Sequence, residues 1–397
     1  MDNFIFTNTT KLVFGRGTEE QTGEMIRQYS DCRKILLVYG SERIKRDGLF
    51  ERVAASVRAQ GMEITELGGV KPNPRLSLVY KGIELCRREG ISFILAVGGA
   101  SAIDTAKAIG VGVPYEGDVW DFFLNKATPQ TTLPTAAVCT IPAAGSESSL
   151  SAVITNEEGG LKKSINLDLI RPVFSILNPE LTYSLPPYQI GCGVVDMLTH
   201  VMERYFTNTA EVDVTDRLCE ALMKSIIVNG VKTYQNPTDY AARAEIFWAG
   251  AVAHNGSLNV GREQDWASHR IGIELSGKYD LAHGASLSIV FPAWMRYVYR
   301  HDIDRFVQFA VRVWDVDIAF AKKEEIVEEA IRRMCAFFRQ LGMPITLAEA
   351  GIPTDGFEEM ADKATFGDTI PVGHFVPIGR QAMIEIYKLC AGNRSLG

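Results

Sequence analysis

Paired cysteines are missing from this chain. Its seven cysteines, Cys32, Cys86, Cys139, Cys192, Cys219, Cys335 and Cys390, are odd in number, scattered, and never spaced as Cys-x-x-Cys. That pattern argues against a disulfide frame or a cysteine zinc site and fits free thiols in a reducing, cytoplasmic setting. No apolar run reaches membrane-spanning length, so no membrane partner is expected. MDNFIFTNTTK has no basic segment followed by an apolar one, so no signal peptide is expected either. Basic charge is in deficit as well: the net charge is −7, which argues against nucleic acid as the main partner. The Gly-x-Gly-x-x-Gly dinucleotide fingerprint occurs nowhere.

Histidine is scarce, and its placement is the most informative feature of the chain. Of six histidines, four (His200, His254, His269 and His283) fall between Gly191 and Gly284. Asp196 and His200 are four apart in a stretch of helical periodicity, so they share one helix face. His269 and His283 are fourteen apart, which on one unbroken helix is about 21 Å along the axis, too far to share an ion. Between them SGKYD carries a glycine and no apolar period, so a helix is expected to end near Ser276–Gly277 and a new one to start near His283. The break lets both imidazoles converge with Asp196 and His200. One carboxylate and three imidazoles suit a borderline divalent ion, Fe(II) or Zn(II), and not calcium or magnesium. An Asp-x-x-x-His pair by itself equally describes a helix-surface contact; the two further histidines around a helix break are what point to a metal.

A chain of 397 residues exceeds the usual single-core limit of about 250–300 residues, so two domains are expected. In the first half, KILLVYG, EITELGG and FILAVGG alternate with helical stretches, the pattern of a parallel sheet covered on both faces. FIFTNTTKLVFGRG reads as an opening hairpin around Asn8–Thr9, TAAVCTIPAAGSESSLSAVITNEEGG as further hairpin-like strands, and VFSIL as a last strand. After Pro179, Pro186 and Pro187, strand signals almost cease and long amphipathic stretches take over. The expected division is an α/β dinucleotide-binding domain over 1–187 and an all-helical metal domain over 188–397. The ion is expected to face the cleft between them.

Three loops rich in small residues close strands of the first half. VGGASAIDTAK passes from a strand through Gly98–Gly99 into a helix, a turn that bares backbone N–H groups to a pyrophosphate. Ser101 and Asp104 have the spacing of a capping box, with Asp in place of Glu or Gln. YGSER offers Gly40 and Ser41 beside an adenosine ribose, and TIPAAGSE is the third loop. Each loop alone also describes a tight connection; together they outline a cofactor groove. Glu42 favours NAD, whereas Arg43, Lys45 and Arg46 favour a 2′-phosphate, and three cations against one carboxylate lean the reading to NADP.

GGASAIDTAK, TIPAAGSES, the Asp-x-x-x-His of GVVDMLTH, and DWASH…LSGKYDLAHG together resemble the iron-containing (group III) alcohol dehydrogenases, and within them the butanol dehydrogenase and NAD(P)H-dependent aldehyde reductase branch. The match runs through about the first three quarters of the chain. The resemblance implies a dehydroquinate-synthase-like fold, a Rossmann-like sheet domain followed by a helical metal domain. It implies that Asp196, His200, His269 and His283 are the metal ligands, in agreement with their spacing. It implies cofactor contacts from Gly40, Asn73, Gly98, Gly99, Ser101, Asp104, Thr140 and Lys162, with Lys162 orienting the nicotinamide ribose. It also implies a homodimer joined through the N-terminal strands.

Two positions depart from the family pattern. GGGS is GGAS here, so Ala100 must keep a negative φ. HRIEHELS is HRIGIELS here, so Ile273 stands where the family usually has a further histidine, four residues after His269. The alcohol proton must then leave through the cofactor's ribose hydroxyls, Tyr279 or His254, the last of which also reads as a satisfied interhelical histidine. The expected activity is reversible hydride transfer between a nicotinamide and a small primary alcohol or aldehyde, the metal acting as a Lewis acid. The alternatives are a glycerol or 1,2-propanediol dehydrogenase, a dehydroquinate-synthase-like lyase, and a binding module without turnover. The lyase needs clustered cations for a phosphorylated substrate, which LTHVMERYF and WASHR do not offer.

Overall fold

The computed structural model describes residues 1–319 and 322–392. Short apolar runs rich in β-branched residues form the strands of the first half, β1 (Lys11–Phe14), β2 (Lys34–Tyr39), β3 (Glu63–Leu67), β4 (Phe93–Gly98) and β5 (Thr135–Cys139). They are followed by β6 (Ser151–Asn156), β7 (Leu161–Asn166) and β8 (Phe174–Leu177). Six of them make one sheet in the order β1-β8-β5-β4-β2-β3, and every pairing in it is parallel. β4 is buried at all six positions and β2 at five of six, as strands covered on both faces must be. β6 and β7 form a separate antiparallel hairpin.

The topology locates a crevice. β2 connects outward to its neighbour β3, whereas β4, on the other side of β2, connects outward to β5. Two adjacent strands whose connections leave in opposite directions open a gap at their carboxyl ends, the standard place for a nucleotide in open α/β sheets. Those ends are Gly40 and Gly98.

The expected N-terminal hairpin is not formed. Residues 1–10 contain no strand, and β1 pairs in parallel with β8 at the sheet edge. Asn8 explains the failure: its Oδ1 accepts the Thr10 N–H while its amide donates to the Ser148 and Asn255 carbonyls, so the would-be turn is tied to distant loops. Met1–Phe6, expected with the sheet, cluster with the helices instead. The sheet unit comprises Thr7–Ser184 and Gly250–Gly256; the helical unit takes Leu185–Ala249 and the chain from Ser257 onward.

The helical unit opens with Pro187–Tyr205, whose first position is Pro187, where a missing N–H costs nothing. Ala267–Tyr279 and His283–Val298 follow later in the chain. The break between them lies at Asp280, in the left-handed region with φ 52°, and not at Ser276–Gly277 as expected. Contacts from elsewhere carry the first helix on: Lys278 pairs with Glu359, and the Tyr279 hydroxyl donates to the Asp355 carbonyl at 2.7 Å. Aromatic packing around Phe206 fills the unit, with Phe306 at 4.5 Å, Phe309 at 5.2 Å and Trp294 at 5.4 Å between ring centres. Among the described residues no helix is long and apolar enough to cross a membrane.

Candidate metal and cofactor sites

The helix Pro187–Tyr205 presents Asp196, His200 and Glu203 on one face, at i, i+4 and i+7. His269 sits in the first turn of Ala267–Tyr279, and His283 opens the helix that follows. Their imidazole Nε2 atoms surround Asp196 Oδ1, at 3.4 Å for His200, 3.8 Å for His283 and 3.9 Å for His269. Ligands at the corners of a tetrahedron around a metal with bonds of about 2.1 Å are about 3.4 Å apart, so these spacings are those of a ligand set slightly opened. Asp196 Oδ1 is buried and has no hydrogen-bond partner among the described residues, an arrangement that is costly unless a cation satisfies it. The donors therefore fit one Fe(II) or Zn(II), and the fourth residue, His283, is the more open one, with 27% of its side chain exposed.

Glu203 holds this set in register. Its carboxylate accepts the Trp266 N–H at 2.7 Å and the His269 N–H at 3.0 Å, capping a helix whose own preceding residue offers no side-chain cap. It also meets His269 Nδ1 at 2.7 Å, which turns Nε2 toward Asp196. Burial pushes the Glu203 carboxyl up to about 8, against the pull of those two N–H groups and of Arg204. Burial, aided by the Arg204 charge, holds His200 well below its ordinary value, hence neutral and able to donate a lone pair. Trp266 is in the left-handed region at φ 68°, a costly conformation for a bulky residue. It sets its ring edgewise against His200 and His269, 5.5 and 5.1 Å away, with the Arg204 guanidinium 4.7 Å from its centre. Glu203 and Trp266 were not anticipated from the sequence; extending the Asp196–His200 face by one turn would have found Glu203.

In the sheet unit the helix Ala100–Gly112 begins at Gly99 without a side-chain cap. The capping box expected of Ser101 and Asp104 is not formed. Ser101 lies inside the helix, its carbonyl accepting the Thr105 hydroxyl at 2.8 Å. Asp104 instead accepts the Ser146 hydroxyl at 2.5 Å and the Val153 N–H at 3.0 Å, so it fastens a neighbouring loop. The uncapped first turn is what a pyrophosphate requires. A Cβ on Gly99 would lie 2.9 Å from Ile141, so the turn has no room for a larger residue, and Ala100 takes up the helix with no positive φ. Thr140, buried at the end of β5, donates its N–H to the Gly98 carbonyl at 3.0 Å. Lys162 on β7 donates to Asn73 Oδ1 at 3.0 Å, joining two expected cofactor residues 89 positions apart.

At the end of β2, Gly40 accepts the Gly69 N–H, and a Cβ there would meet the Val70 carbonyl at 3.3 Å. Ser41 accepts the Arg43 N–H at 3.4 Å, and Arg43 faces Asp47 at 3.4 Å. Lys45 lies 2.7 Å from Glu66 and 3.4 Å from Glu42. The cations of this turn are thus largely balanced by carboxylates. His254 packs against Gly145 of the third loop, where a Cβ would stand 2.7 Å from its own. Tyr279, a candidate proton carrier, has its hydroxyl engaged with Asp355.

Two family models match this chain: iron-containing alcohol dehydrogenase over residues 9–179, and the C-terminal region of the Fe-containing alcohol dehydrogenase family over 191–390. A probable NADH-dependent butanol dehydrogenase of Bacillus subtilis is 40% identical, the match covering 98% of this chain and 99% of that one. The NADPH-dependent aldehyde reductase YqhD of Escherichia coli is 34% identical, over 89% and 90%. The crystal structure of an NADH-dependent butanol dehydrogenase A from Thermotoga maritima superposes with a TM-score of 0.94 at 37% identity, over 98% and 99%.

Proposed function

The chain belongs to the iron-containing alcohol dehydrogenase family, and on that premise we propose that it transfers a hydride between NAD(P)H and a small primary alcohol or its aldehyde. The observation that carries the reading is the ring of three imidazole nitrogens 3.4–3.9 Å from the buried Asp196 Oδ1. A bound Fe(II) or Zn(II) would supply Lewis acidity toward the substrate oxygen, and a bound nicotinamide would give or take the hydride.

The chain's own groups do the rest. Glu203 fixes the ring of His269, and the neutral His200 offers its lone pair. The Trp266 edge makes an apolar wall beside both imidazoles. Ile273, one turn beyond His269 on the same helix, adds apolar bulk on that side, favouring an alkyl chain over a polyol. The uncapped helix start at Gly99 receives the pyrophosphate, and Lys162, braced by Asn73, orients the nicotinamide ribose. The lean to NADP rests on Arg43, Lys45 and Arg46, although Lys45 is engaged by Glu66 and Glu42 and Arg43 faces Asp47; an unchanged NADPH/NADH preference in Arg43→Ala would refute it.

The test is a panel of short aldehydes, alcohols and polyols assayed with NADH and NADPH after loading defined metals. Consumption of NAD(P)H with butanal supports the proposal, turnover of glycerol or 1,2-propanediol alone supports the polyol alternative, and no turnover of any aldehyde, alcohol or polyol refutes both. His269→Ala should lose metal and activity together; an active, metal-free variant would sink the ligand assignment.

The proposal extends to a homodimer. Phe4, Ile5 and Phe6 are 53%, 97% and 48% exposed in succession, more apolar surface than a single segment usually leaves in water. Separately, β1 leaves one edge of the sheet open. Ile5→Glu should convert dimer to monomer in light scattering, and an unchanged dimer would refute this arrangement.

A further inference from the structure

Lys107 is fully buried, yet it lies outside every role assigned so far. It projects from the helix Ala100–Gly112, whose N-terminus is the phosphate turn. Its ammonium donates to three backbone carbonyls, Ser146 at 2.7 Å, Ser151 at 2.8 Å and Ser149 at 3.0 Å. The hydroxyls of Ser146 and Ser149 complete the shell at 3.3 and 3.4 Å. Three N–H donors meet three carbonyls, so the group is saturated.

The geometry answers a problem of the loop it serves. Residues 141–150 run without helix or strand, so their carbonyls have no ladder and need another partner. Asp104, one turn earlier on the same helix, takes the Ser146 hydroxyl and the Val153 N–H. One helix face thus rivets the loop at 146 and at 149–153, while its other end is held where Thr140 bonds Gly98. Burial pulls the Lys107 ammonium down to about 8, with Asp104 and Glu147 holding it up and Arg171 opposing them. At neutral pH it carries its charge. A ring of carbonyl oxygens around a compact monovalent cation is also how proteins replace the hydration shell of potassium.

We propose that Lys107 is a tethered monovalent cation that positions the Thr140–Ser151 loop against the phosphate turn for the dinucleotide, and that its carbonyl cage takes K⁺ or NH4⁺ when the side chain is removed. The dinucleotide part rests on the cofactor reading above; the cage does not. The helix runs about 12 Å from Gly99 to Lys107, so the residue acts through the loop and touches no phosphate itself.

The test uses Lys107→Ala and Lys107→Met in choline, lithium, potassium or ammonium chloride. NADH and NADPH affinity are read by fluorescence, and thermal stability is read without cofactor. In choline, Lys107→Ala should bind dinucleotide about tenfold more weakly than the wild type, a change of about 1.4 kcal/mol, because the lost bonds act on the cofactor only through the loop. K⁺ and NH4⁺ should recover most of that loss and raise the melting temperature, while Li⁺ does neither. Lys107→Met, whose chain still fills the approach to the cage, should not respond. The KM for dinucleotide should rise and that for the alcohol stay unchanged. Wild-type affinity in choline, or a loss that neither K⁺ nor NH4⁺ recovers, overturns the proposal. If Lys107→Ala does not fold in choline, folding in potassium but not lithium supports it, and failure in both overturns it. A wild type that binds no dinucleotide overturns the cofactor reading, while the melting temperature of Lys107→Ala in potassium still decides the cage.

Discussion

Replacing Glu203 by glutamine is the most discriminating perturbation of the proposed metal site. The side chain keeps its shape but has one acceptor oxygen and one donor amide. Glu203 receives three hydrogen bonds, from the Trp266 N–H at 2.7 Å, the His269 N–H at 3.0 Å and His269 Nδ1 at 2.7 Å. The two from His269 end on the same oxygen, so glutamine can serve either that pair or Trp266, and its NH2 must face a donor on the other side. Above about pH 8, where the raised Glu203 carboxyl is ionised, a buried bond to this charged group contributes about 1.5–3 kcal/mol, so the apo variant compared at about pH 9 should lose roughly that much stability. Weakened support of His269, proposed as a ligand, should lower metal affinity about 10–100-fold, or about 1.4–2.7 kcal/mol. The two effects are of one size, so the assay must separate them. Metal affinity is measured by competition with a chelator at a temperature where both apo proteins are folded, and apo stability by urea unfolding. A Glu203→Gln protein that loses stability but holds metal as tightly as the wild type would show that Glu203 caps a helix and nothing more.

Three further outcomes are expected. Gly145→Ala must take a left-handed φ of 63° with its Cβ 2.7 Å from that of His254, which should destabilise by on the order of 3 kcal/mol in urea unfolding; a loss under about 1 kcal/mol would mean that the loop yields. Burial raises the Glu147 carboxyl from an ordinary 4.5 to about 7, so the stability its proton confers is complete below about 4.5 and lost as pH rises through 7. Glu147→Gln should therefore gain on the wild type between pH 5 and pH 8 by on the order of 2–3 kcal/mol, and parallel stability curves would refute this. Ile273→His should raise alcohol oxidation near neutral pH by restoring an imidazole one turn from His269, and an unchanged rate would place proton release elsewhere.

What the sequence determined by itself is what short-range periodicity can carry. Asp196 and His200 share a face because a helix repeats every 3.6 residues, and β2 and β4 announce themselves as buried strands because both their faces are apolar. The Gly98–Gly99 turn was legible for the same reason, since a strand, two glycines and a helix follow in direct succession. Only the tertiary structure decided the rest, because it rests on contacts between residues far apart in sequence. Asn8 is drawn from its expected turn by carbonyls 140 and 247 positions away. The helix through His269 runs on past Gly277 because Lys278 and Tyr279 find partners near 355–359. Asp104 reads as half of a capping box and a cofactor contact, and nothing in the sequence singles out Lys107, yet a loop some forty residues on offers them a hydroxyl, an N–H and three carbonyls. A buried charge is tolerable only where such partners surround it, and a linear pattern shows which residues carry charge without showing which distant oxygens will meet them.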